Sequence, residues 1–151
     1  MYDIKELEKG KFIDLIYKME SKIFSDPWTK KMIKNEFNSK LTLVLGMFNK
    51  NNKELVGYSF LFMVYDEIHI NNFAVKKNYR KQKLGLKLLE YIVEYSKRNK
   101  FRLITLEVRP SNSTAVNLYS KSGFKKMRIR RDYYSNPKED AIVMIKELKE
   151  I

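Results

Sequence analysis

Apolar residues recur at helical spacing near the start of the chain. Phe12, Leu15, Ile16, Met19 and Ile23 share one stripe, which predicts a helix ending before Asp26-Pro27. Pro27 suits the first position of a second helix, with Trp28, Met32 and Phe37 as its apolar side. The period then shortens. Leu41 to Phe48 and Leu55 to Val64 are runs of apolar, β-branched and aromatic residues separated by the polar stretch Asn49-Lys50-Asn51-Asn52-Lys53, which predicts a hairpin. Tyr65-Asp66-Glu67 turns the chain into a third strand, Ile68 to Val75, and the three form an antiparallel meander. A short strand at Asp3 to Leu7 precedes them all.

After Val75 the helical rhythm returns. Leu84, Leu88, Tyr91, Ile92 and Tyr95 define an amphipathic helix that ends near Asn99. Leu103 to Val108 reads as a short buried strand, stopped by Pro110, which has no N–H for a ladder. Asn112 is a good N-cap for a helix whose apolar face holds Ala115, Val116, Leu118 and Tyr119, and Gly123 closes that helix as a C′ residue. Phe124 to Arg131 and Ala141 to Glu147 read as two final strands joined by a loop, Asp132 to Asp140. The expected order is β-α-α-β-β-β-α-β-α-β-β. No repeat, low-complexity tract or linker interrupts it, so residues 1–151 are expected to form one domain.

Composition narrows the chemistry. The chain has 151 residues, no cysteine and one histidine, His69. Disulfides, thiolate metal sites, a cysteine acyl-enzyme and a multi-histidine metal site are thereby excluded. The first residues lack a basic region followed by an apolar stretch, and no apolar run approaches the length of a membrane span, so a cytoplasmic protein with no membrane partner is expected. The formal net charge is +13. Between Asn71 and Arg102 ten basic residues stand against two acidic ones, which surrounds the turn before the third helix with positive field. A polyphosphate ligand suits that field. Nucleic acid does not follow from charge alone, because zinc-finger spacing and an aromatic RNA-binding signature are missing.

Two stretches carry candidate chemistry. Tyr79-Arg80-Lys81-Gln82-Lys83-Leu84-Gly85 opens a helix, where free backbone N–H groups and the helix dipole favour a pyrophosphate. Gly85 either admits that group or relieves crowding between helix and sheet. In Leu106-Glu107-Val108-Arg109-Pro110-Ser111-Asn112, Glu107 interrupts a buried strand; its carboxylate is either an outward-facing alternate position or a functional group. Tyr119 either packs on its apolar helix face or presents a phenol seven residues after Asn112. His69 alternates with Ile68 and Ile70 and reads as a surface or hydrogen-bonded histidine rather than a proton relay.

Together these stretches resemble the GNAT superfamily of acetyl-CoA-dependent N-acetyltransferases over nearly the whole chain. The family's cofactor motif, Gln/Arg-x-x-Gly-x-Gly/Ala, is met by Gln82 and Gly85, while Lys87 stands where glycine or alanine is usual and Lys83 replaces a frequent glycine. Within the superfamily the closest resemblance is to the RimI-type ribosomal-protein-alanine N-acetyltransferases. It is carried by Asp26-Pro27-Trp28-Thr29, by the Leu106 to Asn112 stretch, and by Arg130-Arg131-Asp132-Tyr133-Tyr134 with Glu139-Asp140-Ala141.

The resemblance implies an α/β (α+β) fold with a mixed, mostly antiparallel sheet flanked by helices. It implies acetyl-CoA as cosubstrate, no metal, and the N-terminal α-amine of a small-subunit ribosomal protein, an alanine, as acceptor. Glu107 takes the place of the general base and Tyr119 that of the general acid. Cofactor contacts fall on Phe73, Ala74, Val75, Lys81, Gln82, Lys83, Leu84, Gly85, Leu86 and Asn112, and acceptor contacts on Trp28, Tyr133, Tyr134 and Glu139. A basic acceptor tail would need an acidic groove, for which Glu107, Glu139 and Asp140 are the candidates. A GNAT acting on a small amine or a lysine side chain, and a non-catalytic module binding acyl-CoA or RNA, are the alternatives.

Overall fold

A computed structural model describes residues 1–148; the last three residues of the expected 1–151 domain lie outside it. Seven strands form one sheet in the order β1-β2-β3-β4-β5-β7-β6. They are β1 (Tyr2–Glu6), β2 (Thr42–Asn49), β3 (Leu55–Val64), β4 (Glu67–Val75), β5 (Leu103–Val108), β6 (Lys125–Ser135) and β7 (Lys138–Glu147). The helices are α1 (Ile13–Ile23), α2 (Lys30–Asn38), α3 (Leu84–Arg98) and α4 (Ser113–Lys121). Every neighbouring pair of strands is antiparallel except β4 and β5.

Alternation along the strands builds two cores. In β2, Leu43, Leu45 and Met47 face one way and meet Leu84, Leu88, Leu89 and Ile92 of α3, while Val44 faces the other way toward Ile16, Met19, Ile33 and Phe37 of α1 and α2. Each fully buried aliphatic side chain contributes about 1.5–3 kcal/mol relative to exposure.

Three expected features differ in detail. The second helix does not start at Pro27: Thr29 is its N-cap, accepting from the Met32 N–H at 3.1 Å, and a capped threonine outcompetes a proline two residues upstream. Trp28 therefore lies outside the helix, and the buried face carries Ile33 and Phe37 while Met32 is exposed. The first helix starts one residue late, because Phe12 takes a left-handed conformation (φ 69°) and packs edge-on against Phe48.

The expected loop from Asp132 to Asp140 is mostly strand. β6 and β7 pair down to Tyr134↔Glu139 and Ser135↔Lys138, leaving only Asn136-Pro137 as the turn. A bulge between Arg130 and Tyr134, with Asp132 at φ 51° and its N–H donating to Asp140 Oδ1 at 2.7 Å, breaks the alternation that a strand reading needs.

One side chain ties α1 to the sheet. Glu20, only 1% exposed, accepts from the Trp28 N–H at 2.9 Å, the Tyr58 hydroxyl at 2.5 Å and Asn72 Nδ2 at 2.7 Å. Burial, and then the charge of Glu20, push the Tyr58 phenol far above its ordinary value, so it stays a donor. A single carboxyl group thus holds the α1–α2 connection, β3 and β4 together.

Candidate active site

β4 and β5 run side by side only from Glu67↔Leu103 to Ile70↔Leu106. Beyond that point β4 continues to Val75 along β3 alone, and Glu107 and Val108 of β5 pair only with β7. A bulge begins the divergence: Leu61 faces Ile70 and Phe60 faces Asn72, so Asn71 is an extra residue on β4. The Lys76 N–H turns toward β3 and bonds Val56 O at 2.8 Å. Strand alternation then turns the backbone groups of Phe73 and Val75 to the opposite, unpaired side, while Ala74 faces β3. Val75 O already accepts from Arg80 Nε at 3.3 Å. The gap can receive an extended chain with amide groups of its own.

The turn beyond this gap fits an anion. Lys81 and Lys83 both have left-handed backbones, at φ 65° and 60°. Alternating conformations of this kind direct successive N–H groups into one concavity. α3 has no side-chain cap, and its first internal bond runs from the Lys87 N–H to Lys83 O at 3.1 Å, leaving the N–H groups of Leu84, Gly85 and Leu86 for a ligand. The left-handed backbone at Lys83 also explains why a glycine is at home in this position. Leu84 offers only its backbone here, since its side chain is 4% exposed in the core. Gln82 reaches away to Tyr2, accepting from its hydroxyl at 3.0 Å.

Gly85 has a packing role. A Cβ built there would lie 3.3 Å from Leu118 Cδ2 and 3.9 Å from Phe73 Cε1. The missing side chain lets α3 approach α4 and β4 and so relieves crowding inside the protein.

Glu107 sits where β5 leaves β4. Its Oε2 lies 2.6 Å from His69 Nε2 and its Oε1 accepts from Arg130 Nη1 at 3.0 Å, with 11% of the side chain exposed. Burial works to raise the carboxyl, but the bonds and charges of His69 and then Arg130 outweigh it and hold the group below the ordinary carboxylate value. Glu107 is therefore ionised at neutral pH. His69 is the hydrogen-bonded histidine the alternation implies, with Thr105 Oγ1 at 2.6 Å from its other nitrogen.

Tyr119 is fixed by the end of α4. The Phe124 N–H bonds Tyr119 O at 3.0 Å and the Gly123 N–H bonds Ser120 O at 3.1 Å, the paired bonds of a Schellman motif, with Gly123 at φ 92°. Its ring packs on Phe124 and, edge-on, on Phe73 of β4. Burial, then the neighbouring Tyr134, push its phenol well above the ordinary range. Among the described residues no hydrogen bond joins Tyr119 to Glu107. Asn112 caps α4 through its Oδ1, accepting from the Ala115 N–H at 3.2 Å, and stands outside the buried face that carries Tyr119.

Three of the four residues expected to meet an acceptor, Tyr133, Tyr134 and Glu139, lie on the β6–β7 hairpin. Tyr133 and Tyr134 contact each other at 5.0 Å; Arg130 lies over Tyr133 and Arg109 over Tyr134. Burial, then the charge of Tyr133, lift the Tyr134 phenol to about 12. Ser25, in the α1–α2 connection, donates to Asn136 O at 3.0 Å and so joins this connection to the β6–β7 turn. Trp28 packs on Phe60 at 5.0 Å.

Glu139 accepts from the Ser111 N–H and Oγ, both at 2.8 Å, and from Arg109. Those bonds, the Ser111 N–H first, lower its carboxyl below the ordinary value. Asp140 is bonded to the Asp132 N–H. The three carboxylates expected to make an acidic groove thus all have partners within the protein. Arg109 and Arg130 stood inside stretches singled out in the sequence but without a role of their own, and Glu20 escaped the sequence reading; for Glu20 the available signal was a charge four residues after Ile16, on the apolar stripe of α1.

Residues 13–124 match the model of the acetyltransferase (GNAT) family. An Escherichia coli (strain K12) ribosomal protein bS18-alanine N-acetyltransferase is 32% identical over 130 residues, covering 85% of this chain and 86% of that one. A Bacillus subtilis (strain 168) relative, whose name assigns it the same activity provisionally, is 36% identical over 137 residues and 87% of each chain. The crystal structure of the ribosomal-protein-S18-alanine N-acetyltransferase from Escherichia coli superposes with a TM-score of 0.90 at 30% identity, covering 100% of this chain and 96% of the other. The chain belongs to the GNAT family and is an acetyl-CoA-dependent N-acetyltransferase.

Proposed function

We propose that the protein acetylates the α-amine of the N-terminal alanine of ribosomal protein bS18, in the cytoplasm, by direct attack of the amine within a ternary complex. The observation that supports this most is the likeness to the Escherichia coli bS18-alanine enzyme across the whole chain, at a TM-score of 0.90. Acetyl-CoA supplies the thioester. The α3 turn and the open side of Phe73 and Val75 hold it, and Glu107 stands beside the gap to take the proton of the attacking amine. An α-amine has a reference pKa of about 8 and Glu107 is held low, so the neutral amine attacks the thioester and its proton, made acidic as the C–N bond forms, passes to Glu107 directly or through water.

Tyr119 acts on the leaving sulfur. Its raised phenol is fully protonated at neutral pH, so it is always a donor. Complete transfer to a thiolate, whose conjugate thiol has a pKa of about 8.5, is uphill, and the phenol therefore contributes a hydrogen bond that strengthens as charge develops. Tyr119→Phe should lower kcat by about 10- to 100-fold, with the peptide KM within about twofold of wild type. Steady-state rates on one peptide measure both, and full activity would remove the phenol from the reaction.

The acceptor is tested with a peptide bearing the bS18 N-terminus. Mass spectrometry should place the acetyl group on the alanine α-amine, and blocking that amine should leave internal lysines largely unmodified, because a lysine of pKa about 10.4 is far less often neutral than an α-amine of about 8. Acetyl groups mainly on lysine side chains would overturn the bS18 assignment.

A further inference from the structure

His69 is the chain's only histidine, and both its ring nitrogens are engaged. The parallel pairing of β4 with β5 places it directly beside Thr105, and the ring bridges Thr105 Oγ1 and Glu107 Oε2 at 2.6 Å each. The two partners differ chemically. An ionised carboxylate only accepts, so Nε2 carries hydrogen whenever it bonds Glu107. A hydroxyl accepts or donates, so Nδ1 keeps a partner whether or not it is protonated. Nδ1 is thus the nitrogen that gains and loses a proton, and each gain puts a full positive charge against Glu107.

The surroundings allow that exchange. A cavity of about 270 Å³, lined by Phe62, Val64, Tyr65, Glu67, His69 and Thr105, adjoins the His69–Thr105 contact. The charged and titratable groups around the pair are Glu67 on β4, itself bonded to Arg102, Tyr65 on the β3–β4 turn, Glu107 on β5, and Arg130, Tyr133 and Tyr134 on β6. Arg130 carries a permanent charge. Histidine is the side chain type whose ordinary titration lies near neutral pH, and His69 is the one in contact with Glu107.

We propose that His69 is a positioning residue whose own proton gates Glu107. When neutral, it orients Oε2 through one hydrogen bond and leaves the carboxylate able to accept the amine's proton. When protonated, it adds a second cation beside Arg130, weakens the carboxylate as an acceptor and repels an ammonium substrate. The proton that switches it comes from water and returns to water. This inference rests on Glu107 acting as the base.

Because the chain holds one histidine, the His69 Cε1–H resonance is unique in a proton NMR titration. Glu107→Gln keeps an acceptor oxygen and removes the charge, so the His69 midpoint should fall by about one pH unit or more, as the linkage between two coupled sites requires. Identical titrations in wild type and Glu107→Gln would overturn the pairing. The second measurement is kcat/KM of His69→Gln, which keeps a donor but does not titrate, on the bS18 peptide between about pH 5 and pH 8. The amine's own ionisation cancels in the ratio to wild type. That ratio should rise by about tenfold from the alkaline to the acid end, the factor for one unit of carboxylate basicity. A flat ratio means His69 only fills space and overturns the gating. A peptide that is not acetylated at all defeats the bS18 reading alone, and the NMR titration still decides the pairing.

Discussion

Replacing Glu107 with glutamine should lower acetylation of a bS18 N-terminal peptide by about 10²- to 10⁴-fold while acetyl-CoA affinity stays within about twofold. Glutamine keeps the length of the side chain and one oxygen, so one of the two donors, Arg130 or His69, retains its acceptor while the new amide nitrogen faces the other, and the backbone pairing of β5 with β4 and β7 is untouched. What disappears is the capacity to take a proton. The proposed cofactor contacts lie along Phe73, Val75 and the start of α3, on backbone groups that this change does not touch. Single-turnover rates and calorimetric binding of acetyl-CoA separate the two effects. A rate within about threefold of wild type would remove Glu107 from proton transfer.

Glu20→Ala should cost about 3–5 kcal/mol of folding stability, read from urea unfolding. The substitution strands three donors at once: the Trp28 N–H, the Tyr58 hydroxyl and Asn72 Nδ2. Tyr58 is 0% exposed, so water cannot replace the lost oxygen without opening the core between α1 and the sheet. Against a typical total of about 5–15 kcal/mol this is a large fraction. Glu20→Gln should cost less, because one oxygen still accepts while the new amide nitrogen meets another donor. A Glu20→Ala protein within about 1 kcal/mol of wild type would mean that the three donors find other partners.

The same residue shows where a linear reading runs out. Phe12, Leu15, Ile16, Met19 and Ile23 predict α1, and the helix runs from Ile13 to Ile23. Glu20 lies on that stripe, yet its value depends on Tyr58 and Asn72, which reach it from 38 and 52 residues away in the chain. The last hairpin failed for a local reason. Lys125 to Ser135 is exposed at nearly every position, and a bulge shifts its register, so neither an apolar run nor a clean alternation marks its end. Strand pairing with β7, rather than burial of a face, defines it.

Local signals did determine much of the molecule. Apolar runs, alternation and helical spacing placed the four helices and the strands other than the far end of β6, because burying one face imposes a period of two on a strand and 3.6 on a helix wherever the element lies. The Asn112 cap and the Gly123 closure of α4 are likewise set by neighbours in sequence, and they explain why Tyr119 is held so firmly. Glu107 stood out as a charge inside an apolar strand, and the motif from Gln82 to Gly85 marked the turn before α3. Tertiary structure decided the rest. That Glu107 lies between His69 and Arg130 follows from a parallel β4–β5 register on one side and the β5-β7-β6 order on the other. That β4 and β5 part after Ile70 and Leu106 follows from where their ladder ends and from a bulge set against β3. Such partnerships depend on long-range pairing, which leaves no period in the chain: a strand's own residues prescribe which face is buried, but its neighbours and their register emerge only when the whole sheet is assembled.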